Sequence, residues 1–325
     1  MPDMWLRNLT KRTVVPVMHR TGLLKQLDRR SANCAVLALN YHCVEPTIFE
    51  SHARYLTERA EVIDPGDLEK QVLTGNAPGR QRVVLTFDDG YASFVHRIHP
   101  ILEQYGLPAL WFVPTDYISS TKGLWFDRVR LAVVCSKVRE LRLEDKVWEL
   151  PRRSHGRGLV ANQVTLHLKT LVPDSLESEI ESVIRQMGEP PDHLLEARRI
   201  ATEEEIRLVD GKGVYVESHS RTHPNLLALD EETLDNELSG SKNELEALLG
   251  RTVEHFSYPS GGYNDQVISR LEAAGYRWAW NTDPGFIQVA DLPYCIPRVV
   301  IDDHASDAVL AAKMSPWMHR TGTVH

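Results

Sequence analysis

Two short segments hold the residues best suited to chemistry. The first is Thr86-Phe87-Asp88-Asp89-Gly90-Tyr91, which follows an apolar run and sets two carboxylates side by side. Neighbouring side chains at a strand end point in different directions, so one carboxylate can hold a metal ion while the other stays free as a base. The second is Ser218-His219-Ser220-Arg221-Thr222-His223-Pro224, with two imidazoles four residues apart. Such a pair shares one metal if the segment is helical or tightly turned. With 14 His in 325 residues, roughly 0.6 such pairs arise by chance, so the spacing gains weight only beside the Asp pair. One carboxylate and two imidazoles make a facial site with open positions, suited to Zn²⁺ or a similar divalent ion in hydrolysis. Taken alone, Asp-Asp-Gly would be favoured as a turn chosen for its backbone geometry.

Two weaker features accompany them. Phe256-Ser257-Tyr258-Pro259-Ser260-Gly261-Gly262-Tyr263 runs from an apolar stretch into a Gly-rich turn. A ligand can approach such a backbone closely, and the Tyr258 N–H could donate to an oxyanion. The turn lacks the spacing of a phosphate-binding loop. Ile296-Pro297-Arg298 places a cation near the last strand, where a surface salt bridge is the competing reading. Cys34, Cys43, Cys135 and Cys295 form no C-x-x-C pair. They read as small buried hydrophobes, so metal ligands must come from His and carboxylates.

The elements that would position these residues are legible as an alternation. Short β-rich runs at 35–41, 82–87, 109–113, 213–217, 254–258, 277–280 and 296–301 are mostly continuously apolar, as expected of parallel strands covered on both faces. Helical patterns lie between them at 92–105 before Gly106, at 231–249 between Asp230 and Gly250, and at 265–274 before Gly275. This predicts an α/β fold with a mostly parallel sheet, its polar clusters at the C-terminal ends of the strands. Residues 119–200 interrupt the alternation with a mixed-charge run at 137–153, a loop-like 151–158 and Pro190-Pro191. They read as a mainly helical insertion, either a lid beside the site or a structural decoration. The expected organisation is a basic arm (1–34), barrel (35–118), insertion (119–200), barrel (201–304) and tail (305–325).

Composition narrows the function. The chain is 42% hydrophobic and 25% charged, with a net charge of −8 and a pI near 6.0. This is a globular composition that counts against disorder and against nucleic acid as a partner. Residues 1–30 are the exception, with seven basic against two acidic side chains among apolar residues. They suit either an acidic body or an anionic membrane surface. No signal-peptide pattern or spanning apolar stretch is evident, so the expected location is cytoplasmic, peripheral at the inner membrane face if the arm binds lipid.

In this order, the motifs resemble the polysaccharide deacetylase family, the NodB-homology carbohydrate esterases of family four. TFDDG stands at 86–90, H-S/T-x-x-H-P at 219–224, and an F-x-Y-P-x-G version of the third motif at 256–261. Lesser matches are Pro108–Pro114 and Leu39-Asn40-Tyr41-His42. The resemblance implies a distorted (β/α)7 TIM-like barrel carrying the helical insertion, and metal-dependent removal of an acyl group from a sugar. It implies that Asp89, His219 and His223 hold one divalent ion (Zn²⁺, with Co²⁺, Ni²⁺ or Mn²⁺ as alternatives) and that Asp88 is the general base. Tyr258, Pro259, Gly261 and Tyr91 would lie against substrate or oxyanion. The family's third motif usually carries an Arg two residues before the Pro, where this chain has Ser257; Arg298 is the candidate replacement. The late L-x-H motif that supplies the usual acid is missing, which leaves His42, or alternatively His304.

The function expected on this basis is hydrolysis of the N-acetyl group of an acetamido sugar in a glycan or glycoconjugate. That substrate could be lipid-linked, and the setting would be surface-glycan biosynthesis. An O-acetyl esterase or another metal-dependent amidohydrolase would use the same site. A carbohydrate-binding pseudoenzyme is the alternative of a different class.

Overall fold

The computed structural model describes residues 36–74, 80–121, 123–144, 146–315 and 318. The basic arm with its expected membrane contact, Cys34 and most of the tail beyond residue 315 lie outside the described residues.

The apolar runs form the expected strands. These are β1 (Val36–Tyr41), β2 (Ala60–Val62), β3 (Gln81–Phe87), β4 (Ala109–Val113), β5 (Glu140–Leu143), β6 (Lys146–Glu149), β7 (Val214–Ser218), β8 (His255–Ser257), β9 (Trp278–Trp280), β10 (Phe286–Ile287) and β11 (Val299–Val300). The main sheet runs β10-β1-β3-β4-β7-β8-β9, with β11 beside β1 and β2 beside β3. All its described ladders are parallel except β1–β10. The segment 296–300 links β9, at one end of this path, to β1, the strand next to the other end. Ile296 bridges to Trp280 of β9, and Val299 and Val300 pair with Leu39 and Asn40 of β1. The curled sheet so formed is the distorted barrel expected from the sequence.

Both faces of these strands are buried, which explains their unbroken hydrophobicity. Val36, Ala38, Val84, Leu110, Phe112, Trp278, Trp280 and Ile296 pack as one inner cluster. Leu37, Leu39, Leu85, Phe87, Trp111 and Val113 belong to the larger cluster shared with the helices. The period of two then dictates where the polar residues face. Asn40, Thr86 and Asp88 continue the inward series of Ala38 and Val84, so they crown the barrel interior.

The flanking helices begin and end on recognisable signals. Asp230 accepts from the Thr233 N–H to start Glu231–Asp235, and Asn264 does the same for Val267 ahead of Asp265–Ala273. Gly106 (φ 62°) and Gly250 (φ 69°) close the His99–Tyr105 and Ser241–Leu249 helices in the left-handed region. Two of the expected helices contain a π turn, at Phe94–Ile98 and Asn236–Gly240.

The insertion departs from expectation in one element. It has helices at Trp125–Cys135, Ser154–Leu168, Pro173–Met187 and Asp192–Glu196, but the mixed-charge run is the β5–β6 hairpin. Leu141 and Leu143 face inward while Arg142 faces out, an alternation masked by the charges around it. Ser154–Gly158, expected as loop, already belongs to a helix. The insertion ends against the first motif, where Ala92 N donates to Arg199 O and Ala201 N to Gly90 O, each at 3.0 Å.

Candidate active site

Four strand ends bring the expected residues together in a cleft of about 700 Å³. Asp88 leaves β3 pointing inward, and Asp89 then turns away at φ 75°. Gly90 (φ 69°) completes the turn; a Cβ there would lie 2.9 Å from Val113 Cγ1, so the close approach to β4 requires glycine.

Asp89, His219 and His223 form a buried cluster with one ligand atom from each within 4.8 Å of the others. Both imidazole Nε2 atoms stand 3.7 Å from the same Asp89 oxygen, Oδ1. That is too far for a hydrogen bond, and close to the roughly 3.3 Å between two ligands about 2.0 Å from one tetrahedral ion. His219 Nδ1 donates to Ser257 O at 2.8 Å, which leaves Nε2 as the lone-pair nitrogen facing the cluster. His223 Nδ1 is buried with no hydrogen-bond partner among the described residues. Burial, reinforced by neighbouring His219, pushes His223 down to about 3, so it is a neutral imidazole. Burial alone would raise Asp89, but the His219, His42 and His223 imidazoles outweigh it and keep Asp89 ionised. A carboxylate and two imidazoles aimed at one point fit a divalent cation.

The His pair is tightly turned rather than helical, with Ser220 at φ 62° and His223 at φ 56°. Glu237 holds this loop from the π turn. It accepts from Arg221 N (2.8 Å), Thr222 N (3.0 Å) and Thr222 Oγ1 (2.6 Å). Nothing local in the sequence marks Glu237 for this role, because the two segments are 15 residues apart.

Asp88 and Arg298 form the second centre. Arg298 is fully buried and Asp88 is 3% exposed. Arg298 Nη1 donates to Oδ1 at 2.7 Å and Nη2 to Oδ2 at 2.8 Å. Its Nε donates to Asn281 O at 2.8 Å and Nη2 also to Ser257 Oγ at 2.8 Å. Asn40 Nδ2 adds a donor to Oδ2 at 3.0 Å and Ser257 Oγ another at 3.4 Å. Burial would raise the Asp88 carboxyl, but Arg298 dominates and holds it at about 2. Oδ2 is crowded by three donors, whereas Oδ1 accepts from Arg298 alone and keeps a lone pair for another proton. Asn40 was visible in the sequence beside His42, but nothing there marked it as a donor to the carboxylate.

The remaining residues fall around these centres. His42 is 4.0 Å from Asp88 through Nε2; His304 lines the same cleft with Tyr91 and Tyr258. The Tyr258 N–H is spent on Trp280 O (3.0 Å) in the β8–β9 connection and its hydroxyl on Tyr294 O (2.9 Å). This corrects the expectation that the Tyr258 N–H would serve an oxyanion; its ring wall remains in the cleft. Pro259 and Gly261 form the adjoining turn, where Gly261 has φ 80° and a Cβ would meet Thr282 Oγ1 at 2.0 Å. The insertion supplies residues that sequence reasoning missed. Tyr91 OH donates to Asp127 Oδ2 at 2.6 Å, and Arg198 pairs with Asp127 Oδ1 at 3.3 Å. Phe126, Arg130 and Lys169 line the cleft from the same side.

Comparison with known proteins accords with this geometry. The profile of the polysaccharide deacetylase family matches residues 75–279. The chain is similar to YxkH of Bacillus subtilis (strain 168), a curated protein that carries the name of a polysaccharide deacetylase. The two are 19% identical over 265 residues, covering 81% of this chain and 67% of that one. Among solved structures it resembles the Streptococcus pyogenes deacetylase PplD in complex with acetate. The TM-score is 0.58 at 17% identity, over 87% of this chain and all of that one. IcaB from Ammonifex degensii gives a TM-score of 0.57 at 17% identity, over 86% and 97% of the two chains. At these identities the likeness is one of fold.

Proposed function

The chain belongs to the polysaccharide deacetylase family, a family of deacetylase hydrolases acting on acetylated polysaccharides, and from that premise we propose that it is a metal-dependent N-deacetylase of an acetamido sugar in surface-glycan biosynthesis. The observation that carries this reading is the pairing of a metal-ready cluster, Asp89, His219 and His223, with a buried carboxylate clamped by Arg298. A divalent ion held by those three residues, Zn²⁺ first among the candidates, would act as a Lewis acid on the acyl carbonyl and make water nucleophilic near neutral pH.

The chain's own residues supply the proton steps. Asp88 takes the proton of the attacking water on Oδ1, while Arg298, Asn40 and Ser257 fix the carboxylate so that no reorientation is needed. His42, 4.0 Å from Asp88 and part-exposed to the cleft, is the group we assign to protonate the departing amine. His304, which lines the same cleft, is the alternative. The insertion closes one wall of the cleft through Phe126 and the Tyr91–Asp127–Arg198 contacts. No helix of the described residues is long and apolar enough to cross a membrane. A lipid-linked precursor, met at a membrane through residues 1–30, remains part of the proposal.

The test is acetate release from a panel of N-acetylated sugars, free and lipid-linked, with Zn²⁺ or Co²⁺ added. The wild type should release acetate, Asp88→Asn should not, and His219→Ala should lose about one bound metal per chain after dialysis. Unchanged release by Asp88→Asn would overturn the assignment of the base. O-acetylated counterparts in the same panel separate amide from ester hydrolysis.

A further inference from the structure

One feature of the cleft has no task in deacetylation itself. A neutral acetamido sugar offers no charge to bind, yet the insertion presents two cations to the cavity that holds the metal cluster. Arg130 projects from the Trp125–Cys135 helix and Lys169 caps the end of Ser154–Leu168. Lys169 Nζ reaches over the Phe126 ring, 5.4 Å from its centre, and donates to Ser260 Oγ at 2.8 Å on the turn of the third motif. Burial lowers the lysine from its ordinary value; the Asp89 carboxylate opposes that shift and Arg130 adds to it.

Neither cation has a carboxylate within 4 Å among the described residues, in contrast to nearby arginines. Arg128, on the same helix as Arg130, is matched by Glu181 and Glu189, and Arg198 on the same wall is matched by Asp127. The acids of the cleft are otherwise engaged: Asp88 with Arg298, Asp89 with the two imidazoles, Asp302 with Lys313, and Asp303 with the Cys43 N–H. Two cations that line one cleft without a directly paired carboxylate would each gain charge-assisted hydrogen bonds from an anion seated between them.

We propose that Arg130 and Lys169 form a subsite for an anionic group, a phosphate or carboxylate, carried by the substrate next to the acetylated sugar. The proposal deepens the deacetylase reading and rests on the same cleft, but it concerns binding. Guanidinium and ammonium both suit a phosphate or carboxylate oxygen, with Arg130 able to engage two oxygens at once. Such a substrate would be a glycosyl phosphate or a glycan containing a uronic acid.

The experiment is calorimetric titration of the full-length protein with inorganic phosphate, glucose 1-phosphate and glucuronate. The wild type is compared with Arg130→Gln and Lys169→Gln, with thermal melts to check that each folds. Arg130 is exposed, so its variant probes binding without a packing defect. Binding of at least one anion to the wild type, weakened about tenfold or more in both variants, is the expected result. Preference for glucose 1-phosphate points to a phosphate-bearing substrate and preference for glucuronate to a uronate-bearing one. No anion binding, or equal binding to wild type and variants as for an anion on the metal, overturns the subsite. Acetate release is followed in parallel. Anion binding without any release would overturn the deacetylase reading and leave the subsite standing.

Discussion

Replacing Arg298 tests the central geometry most directly. Its guanidinium is fully buried, forks onto both oxygens of Asp88 at 2.7 and 2.8 Å, and spends its Nε–H on Asn281 O. In Arg298→Met the carboxylate keeps Asn40 and Ser257 but loses its counter-charge at a buried position. Breaking a buried pair from one side typically costs about 3–5 kcal/mol, because a charge is left uncompensated. Arg298→Lys retains the charge but cannot fork, so the loss should be nearer that of one charged hydrogen bond, roughly 1.5–3 kcal/mol. Asp88→Asn removes the other charge, and the double variant Asp88→Asn/Arg298→Met removes both. If the pair is coupled as the distances require, the double variant should be more stable than the sum of the single losses by on the order of 3 kcal/mol. Urea unfolding followed by tryptophan fluorescence gives these differences as midpoint shifts. Turnover adds a second readout: Arg298→Lys should lower kcat by on the order of 10²-fold with little change in KM, as expected when a base is present but badly aimed. A loss below about 1 kcal/mol in Arg298→Met, or additive behaviour in the double variant, would refute the reasoning.

Other parts of the fold give separate expectations. His255 is buried against Trp280, whose Nε1 donates to His255 Nδ1 at 3.1 Å, and burial pushes it from 6.5 down to about 3. The unfolded chain therefore takes up a proton below pH 6.5 that the folded chain refuses. His255 thus favours folding fully above that pH and progressively less below it. Relative to His255→Gln, the wild type should lose about 2 kcal/mol between pH 7 and pH 5 in urea titrations; parallel curves would show that the ring titrates normally. Glu237→Ala removes the acceptor that fixes the His219–His223 loop, so Zn²⁺ affinity measured by competition with a chelator should fall about 10–100-fold. Unchanged affinity would mean the loop holds itself. Gly261→Ala places a Cβ 2.0 Å from Thr282 Oγ1 at φ 80° and should lower the melting temperature and activity together. A variant with wild-type melting would show that the turn relaxes freely.

How much of this was visible in the sequence depends on the distance over which each feature is encoded. The strands were legible because burial on both faces writes itself as continuous hydrophobicity, as in β1 and β4. The Asp89–His219–His223 cluster, which could hold a metal ion, was legible because Asp89 and the His219–His223 pair each sit in a compact motif. The β5–β6 hairpin was hidden, since Leu141 and Leu143 alternate with charges and the hairpin pairs only with itself. Glu237 and Asp127 were hidden for a different reason. Each reads as an ordinary helical acid until the fold carries it against the Arg221–Thr222 backbone or Tyr91. Arg298 lies between these cases: a cation was expected near the last strand, but only the curled sheet brings it 2.7 Å from a residue 210 positions earlier. The amide of Tyr258 misled because a Gly-rich turn signals backbone access, while the strand pairing that consumes this N–H with Trp280 is not a local property.

The short segment 296–300, which bridges β9 to β1, couples the orientation of Asp88 to closure of the curled sheet. Asp88 sits in the first third of the chain, and its orienting cation arrives on the strand that shuts the ring. A chain folded only as far as β9 would hold Asp89, His219 and His223 without the guanidinium that fixes Asp88.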